Sequence, residues 1–409
     1  MTAVTARQSR LGPDFARLWT ANAVSNLGDG VTMVAGPLLV ASITDDPAAV
    51  AAAALAPQLP WLLLALVSGA LVDRLDRRRL VVTVNLARGA VLGALAVAVL
   101  TGVAGVPLIC LAFFLTGVGE TLADTASAAL LPSVVPAEQL ERANSRLFAT
   151  FVLGNQFAAK PLGAYLFVLG TALPFAVDAA TFGLAALLVA LLRWRPVPPA
   201  EPTPDGGARR SLRADVAAGL HALWSVPVLR ALAICIAVMN VAFCAAFAAF
   251  VLYARQRLGL GDVGYGVLLT ASALGGLAGT ALATRLRARF GTPALLRAGL
   301  LVEVGLQLVL ATTRQPWVAG AALAVWGVHT MVWGVLVVSL RQRLVPDRLR
   351  GRVAGVYALA DLGGAAVGTA LGGLLAQTTG AITAPFWAAA GALTVLTVAV
   401  WRRLAVASG

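Results

Sequence analysis

Between residues 17 and 403 the chain alternates long apolar runs with short polar breaks. The breaks cut it into twelve runs, at 17–43, 48–72, 80–101, 106–131, 144–169, 172–193, 229–253, 263–284, 293–313, 316–340, 352–376 and 382–403. A helix needs about 20 mainly apolar residues to cross the hydrocarbon of a bilayer, and each run is long enough. The pattern predicts an all-α membrane protein with twelve transmembrane helices, spans 1 to 12. Twelve crossings leave both termini on one side, and arginine placement says which. The N-terminal tail, the breaks after even-numbered spans and the C-terminus hold 26 of the 30 arginines. Cytoplasmic loops are the ones enriched in basic residues, so both termini are expected in the cytoplasm of a cell whose inner (plasma) membrane holds the protein.

One break is much longer than the rest. Its first part, "RWRPVPPAEPTPDGGARR", is proline-rich, and Leu212, Val216, Leu220, Leu223 and Trp224 follow at helical spacing. This predicts a cytoplasmic linker over 194–228 that ends in an amphipathic surface helix. It would join six-helix bundles at 17–193 and 229–403, flanked by tails at 1–16 and 404–409. The halves also repeat. "ALVDRLDRR" from Ala70 aligns with "ALATRLRAR" from Ala281, and "VVPAEQLERAN" from Val134 with "LVPDRLRGRVA" from Leu344. Two similar bundles can rock about a site near the midplane, the architecture of a transporter.

Composition narrows the function classes. The chain is 59% hydrophobic and 12% charged, against roughly 25% charged in a soluble domain, so water is not its main solvent. The net charge of +13 is spread over short clusters with no aromatic-basic interleaving, which argues against nucleic acid. Cys110, Cys235 and Cys244 all lie in apolar runs and offer neither a disulfide framework nor a metal site. "ASALGGLAG" from Ala271 is glycine-rich but lies inside a span and lacks the Lys-Ser/Thr ending of a phosphate loop. No cofactor, metal or nucleotide is therefore expected, and no enzyme: an ion gradient or the substrate's own gradient must drive the protein. The basic N-terminus leads into an apolar run too long for a signal peptide, so it is expected to stay as span 1.

The break after span 2 packs two aspartates and four arginines into seven positions, Asp73 to Arg79. With its approach, "GALVDRLDRRR" from Gly69, it resembles the Gly-x-x-x-Asp-Arg-x-x-Arg-Arg signature of the major facilitator superfamily. "LWTANAVSNLGDGVTMVAGPLLV", "LLPSVVPAEQLERANS", "PFAVDAATF" and "RQRLVPDRLRGRVAGVY" resemble the branch holding macrolide-efflux and enterobactin-exporter-like proteins. The resemblance covers essentially the whole chain and implies two pseudo-symmetric six-helix bundles around a cavity lined by spans 1, 4, 7 and 10. It also implies a cytoplasmic gate of Gly69, Asp73, Arg74, Arg77 and Arg78, latching onto the start of span 11 near Gly351 and Arg352. Arginines alone would serve as a topology anchor.

Ionisable groups inside spans are costly, at least about 2.5–3.5 kcal/mol on insertion scales, and are functional candidates by default. Asp29 sits near the middle of span 1, and Glu120 and Asp124 lie four apart on one face of span 4. Two poorly solvated carboxyls that repel each other suit a proton carrier. With Arg88 and the only lysine, Lys160, they form the expected coupling network; pairing of Asp124 with Arg88 and of Glu120 with Lys160 is the structural alternative. "NQFAAKPLGA" resembles the antiporter motif of span 5, with Lys160 and Ala164 where that motif has glycines, which puts close packing there in doubt. Phe113 stands where the family's span-4 arginine belongs, and Lys160 is the expected replacement charge. Trp326, His329 and Trp333 share a face of span 10 and, with Asn26 and Asn240, are expected to line the cavity. They would suit a flat, hydrophobic or cationic molecule, or else pack as an aromatic stripe against lipid or a helix. Asp178, Glu303 and Asp361 are expected to be structural.

Together these features predict a proton-coupled exporter of small hydrophobic or amphipathic compounds, acting as a monomer in the lipid bilayer. The alternatives are an exporter dedicated to one endogenous product such as a siderophore, and a membrane sensor that binds without transporting.

Overall fold

The computed structural model describes residues 11–72, 75–193, 220–221, 223–345 and 347–405. Among them all regular structure is helical. Span 1 is Pro13–Ile43, and span 2 is Pro47–Leu55 continued by Leu59–Val72. Spans 3 and 4 are Arg77–Leu100 and Val106–Val134. Span 5 runs from Leu140–Phe151 through a π-helix at Val152–Ala158 into Ala159–Leu169, and span 6 is Leu173–Ala190. Span 7 is Pro227–Phe247 plus Phe250–Gln256. Spans 8 to 12 are Asp262–Phe290, Thr292–Thr312, Pro316–Leu344, Asp347–Thr379 and Ala384–Ala405. Among the described residues eleven helical segments are long and apolar enough to cross a bilayer, span 2 being counted across its break at Ala56–Gln58; span 5, which the π-helix divides, is not in that set. The linker residues 194–219 lie outside the described residues. After them a helical turn carries the buried Leu223 and the exposed Trp224.

Local chemistry fixes the ends. Proline opens spans 1, 2, 4, 6, 7, 9 and 10 in the first turn, where its missing N–H leaves no bond unmade. Asp76 caps span 3, accepting a hydrogen bond from the Arg79 amide at 2.9 Å. One of the two aspartates in the basic packet is thus an N-cap, a role worth about 1 kcal/mol.

The packing pattern repeats between halves. Span 1 lies against spans 5 and 6 as span 7 lies against 11 and 12; the 2–4, 3–4 and 3–6 pairs recur as 8–10, 9–10 and 9–12. Among the described residues the buried apolar core shared by both halves lies at one end. At the end away from the termini, a single core joins Val34, Leu38 and Phe113 of the first half with Phe250, Tyr253 and Leu310 of the second. At the termini end the buried apolar side chains form two separate clusters, one per half. Small residues close the far end: Gly266 of span 8 lies on Ala164 and the Lys160 carbonyl of span 5, and Gly373 of span 11 on Ala48 and Ala51 of span 2. A Cβ on Gly266 would fall 2.6 Å from that of Ala164. Close packing at the span-5 motif therefore survives, because the glycine has moved to the partner helix. Arg255 adds a polar clasp, donating to the Ala41 carbonyl at 2.6 Å and pairing with Asp262 at 2.7 Å.

Candidate functional site

The densest polar cluster in the first half is built around "NLGDG" of span 1. Three successive residues face three different helices. Gly28 meets the Asp178 carboxyl and Thr181 hydroxyl of span 6, Asp29 reaches Arg88 of span 3, and Gly30 lies on Asn155 and Ala159 of span 5. A side chain at position 28 would occupy the space of the Asp178 carboxyl, so the glycine is what lets that acid approach span 1.

Arg88 is the hub. It is 4% exposed, bonds Asp29 Oδ1 through Nη2 at 2.6 Å and lies over the Phe182 ring at 4.0 Å. Its stem passes Gly119 of span 4, where a Cβ would fall 2.6 Å from Arg88 Cγ. Glu120, Asp124 and Asp178 are all within electrostatic reach of the same guanidinium. Asp178 is fully buried and accepts hydrogen bonds from Thr32 at 2.5 Å and Thr181 at 3.0 Å. Glu120 is half-buried and Asp124 exposed. A small cavity of about 20 Å³ opens among Asn22, Asn26, Asp29, Asn85, Arg88 and Asp124. That is room for about one water, far below the 300–1,000 Å³ of a drug-sized pocket.

Several expected pairings differ. Arg88 bonds Asp29 rather than Asp124. Lys160 bonds neither Glu120 nor any other acid among the described residues, and Arg88 takes the role of positive hub that was assigned to it. Asn155 lies in the π-helix of span 5, one turn before Lys160, and donates to the Asn26 carbonyl at 2.9 Å. Such helical bulges recur at functional sites, and no spacing signal in the sequence announces this one.

At the gate, Asp73 and Arg74 lie outside the described residues, as do the side chains of Gly351 and Arg352. Gly69 falls in the helix Leu59–Val72. Arg77 donates to the Ala129 carbonyl at 3.1 Å, and Arg78 to the carbonyls of Val189, at 3.3 Å, and Ala190. These bonds run to the ends of spans 4 and 6 in the same half, where helix C-termini present unpaired carbonyls. These bonds tie both arginines to their own bundle, and the contact expected near Gly351 and Arg352 of span 11 falls on side chains outside the described residues.

In the second half the stripe on span 10 divides. Trp326 stacks on Phe243 of span 7 with centroids 4.1 Å apart and planes 3° from parallel. His329 and Trp333 are instead buried against span 9. The residues at i, i+3 and i+7 share a broad face, and only its Trp326 edge turns toward span 7. Phe243, Phe247 and Asn240 follow one another along span 7, with Phe243 and Phe247 stacked at 4.1 Å. Asn240 donates to Asp361 of span 11, which is exposed rather than packed away. Asp361 is thus held on span 7 by Asn240, three residues before Phe243.

Comparison with known proteins fits this arrangement. The model of the family described as transmembrane secretion effector matches residues 11–408. A Mycobacterium bovis protein described as an uncharacterized MFS-type transporter is 38% identical over 147 residues, 35% of this chain and 33% of that protein's length. The multidrug efflux pump Tap of Mycolicibacterium fortuitum is 29% identical over 86% of this chain and 87% of its own. Among solved structures, a bacterial homologue of the iron transporter ferroportin in its inward-facing state superposes with a TM-score of 0.75 at 18% identity, covering 98% of this chain and 100% of that one. The outward-facing state with soaked iron gives 0.55 at 18% identity, over 96% of this chain and 99% of that one. The chain belongs to the transmembrane secretion effector family of major facilitator transporters.

Proposed function

We propose that the protein is a proton-coupled exporter of small hydrophobic or amphipathic compounds in the inner (plasma) membrane. The carrying observation is charge imbalance: four carboxyls, Asp29, Glu120, Asp124 and Asp178, gather around the single guanidinium of Arg88. Fully ionised, the cluster would hold three uncompensated negative charges inside the membrane, a state that binding protons relieves. With the arginine-rich ends placed in the cytoplasm, the separated ends of the two halves face the compartment from which cargo would be loaded. The Phe243–Trp326 wall beside Asp361 suits a flat aromatic molecule, cationic or neutral. The efflux pump Tap, similar over most of its length, supports export of drug-like compounds. Gly69, Asp73, Arg74, Arg77 and Arg78 act in this reading as the cytoplasmic gate region, and one chain is the working unit.

One charge moved through 100 mV supplies about 2.3 kcal/mol, and one pH unit about 1.36 kcal/mol more. A single proton thus sustains a cargo gradient of a few hundred-fold. The test is cargo-dependent proton flux in proteoliposomes, with ethidium as probe. Asp29→Asn and Glu120→Gln are expected to uncouple or stop it; uphill transport that persists unchanged in both variants, or with pH difference and voltage collapsed, refutes the reading.

A further inference from the structure

A second group of buried polar residues lies in the other half, between spans 9 and 10. On span 9, Gly299, Glu303 and Gln307 stand four residues apart on one face. Glu303 is 2% exposed and Gln307 0%. Glu303 Oε1 accepts a hydrogen bond from Trp326 Nε1 at 2.9 Å and lies 3.3 Å from His329 Nε2. Gly299 makes the room: a Cβ there would fall 2.6 Å from His329 Nδ1 and 3.0 Å from the Trp333 ring. Among the described residues the other oxygen of Glu303, both amide atoms of Gln307, Trp333 Nε1 and His329 Nε2 itself, close to Glu303 but not hydrogen-bonded to it, have no hydrogen-bond partner. Buried polar atoms left unpaired cost about 1–3 kcal/mol each, so the group is built to bind something small and polar.

We propose that Glu303 and His329 form a second proton-binding site, set inside the carboxy-terminal bundle and tied to the cargo cavity by the Trp326 indole. The site deepens the exporter reading and rests on it. With one proton shared between carboxyl and imidazole the pair carries no net charge, the state that hydrocarbon tolerates best. Releasing that proton leaves a net negative charge, which a cation stacked on Trp326 would offset. The indole stacks on Phe243 of span 7 while its N–H is on Glu303, so one side chain links the face that the exporter reading gives to cargo with the carboxyl of this pair. The other carboxyl on this side of the bundle is Asp361 of span 11, which accepts a hydrogen bond from Asn240 of span 7. Among the described residues, span 8 has no charged group between Asp262 and Arg285, span 10 none between His329 and Arg341, and span 12 none before Arg402; Tyr265 is the titratable group on the facing stretch of span 8. On span 9 itself Arg297 is six residues from Glu303 and donates to the Trp401 carbonyl at 3.0 Å.

The experiment measures protons released per ligand bound, using purified full-length protein in weakly buffered detergent solution. The ligands are ethidium, a flat aromatic cation, and a neutral phenanthridinone of similar outline. Glu303→Gln and His329→Gln are each expected to lower ethidium-driven release by about one proton per bound ethidium. Phenanthridinone should release none from this pair. Trp326→Phe, which keeps the pair but removes its tether, should lower release in the same way, and it carries the comparison if a Glu303 variant does not fold. Release that is unchanged in the Glu303 and His329 variants while ethidium still binds overturns the proposal, as does a wild type that releases no proton. Asp29→Asn separates the two readings. Loss confined to Asp29→Asn supports the first-half site and sinks this one, whereas loss confined to the Glu303 and His329 variants does the reverse.

Discussion

Replacing Arg88 with methionine is the sharpest test of the hub in the first half. Methionine keeps an unbranched stem in the groove beside Gly119 and removes the guanidinium that holds Asp29 at 2.6 Å. The Arg88 side chain of the pair is 5% exposed and that of Asp29 21%, so solvent screening is slight. Removing one partner of a buried ion pair costs about 3–5 kcal/mol, mostly through the stranded charge. Asp29→Asn should cost less, about 1.5–3 kcal/mol for one charged hydrogen bond, because Glu120, Asp124 and Asp178 still face Arg88. The double variant strands neither group, so its loss should fall short of the sum of the singles by about 2 kcal/mol or more. The assay is equilibrium unfolding of the purified protein in mixed micelles, read by tryptophan fluorescence. Additive losses, within about 0.5 kcal/mol, would show that the two side chains do not depend on each other. A loss below about 1 kcal/mol for Arg88→Met would refute the hub outright.

Three further outcomes follow from the geometry. Gly28→Ala drives a methyl into the Asp178 carboxyl and Thr181 hydroxyl; the expected cost is about 1–3 kcal/mol in the same unfolding assay, and a neutral result would mean that span 6 is not held against span 1 as described. Arg255→Ala removes the clasp to the Ala41 carbonyl, worth about 1.5–3 kcal/mol as a charged hydrogen bond. Maleimide labelling of a cysteine at position 51, in a background lacking Cys110, Cys235 and Cys244, should then speed up by about ten-fold or more as the far end opens. Lys160→Met is expected to stabilise the protein, since no acid among the described residues pairs with the ammonium and an intramembrane charge costs about 2.5 kcal/mol or more. Destabilisation would reveal a partner for it.

The run lengths and the repeat carried the twelve-helix reading, because hydrocarbon thickness and the 1.5 Å rise of a helix leave little freedom. The same logic picked out Asp29, Arg88, Glu120 and Asp124, since charge within an apolar run needs no tertiary knowledge to be noticed. Pairing was less legible. Helical spacing says that Glu120 and Asp124 share a face, but which arginine that face meets depends on how closely spans approach, and Gly28, Gly30 and Gly119 set that distance. For the same reason Trp326 and His329, three residues apart, belong to different surroundings: Trp326 turns to span 7, and His329 fills the gap left by Gly299. Glu303 was legible as a charge in a span, yet its histidine and indole contacts come from a neighbouring helix. The break at Ala56–Gln58 holds Pro57, with Pro60 just after it, inside a run that stays apolar, whereas Val152–Ala158 and Ala248–Ala249 contain no proline to mark them.

What remains is why such a molecule can switch at all. Its closed end is sealed by small apolar surfaces and by one arginine clasp at its rim, whereas the strong polar bonds around Arg88 and Glu303 lie within single halves. Among the described residues, the buried ion pairs around Arg88 and Glu303 would stay intact as one half moves on the other, while the apolar contacts of the far end and the Arg255 bond would exchange. With the proton coupling proposed above, that division suits a drive of about 3–4 kcal/mol per proton. Had Arg88 or Glu303 been bonded across the seam, each transition would strand a buried charge at about 3–5 kcal/mol, as much as or more than one proton supplies. The seam is cheap to part because the costly interactions of the described residues are kept off it, as the proposed coupling requires: a proton bound within one half must bias a movement between halves without holding them together.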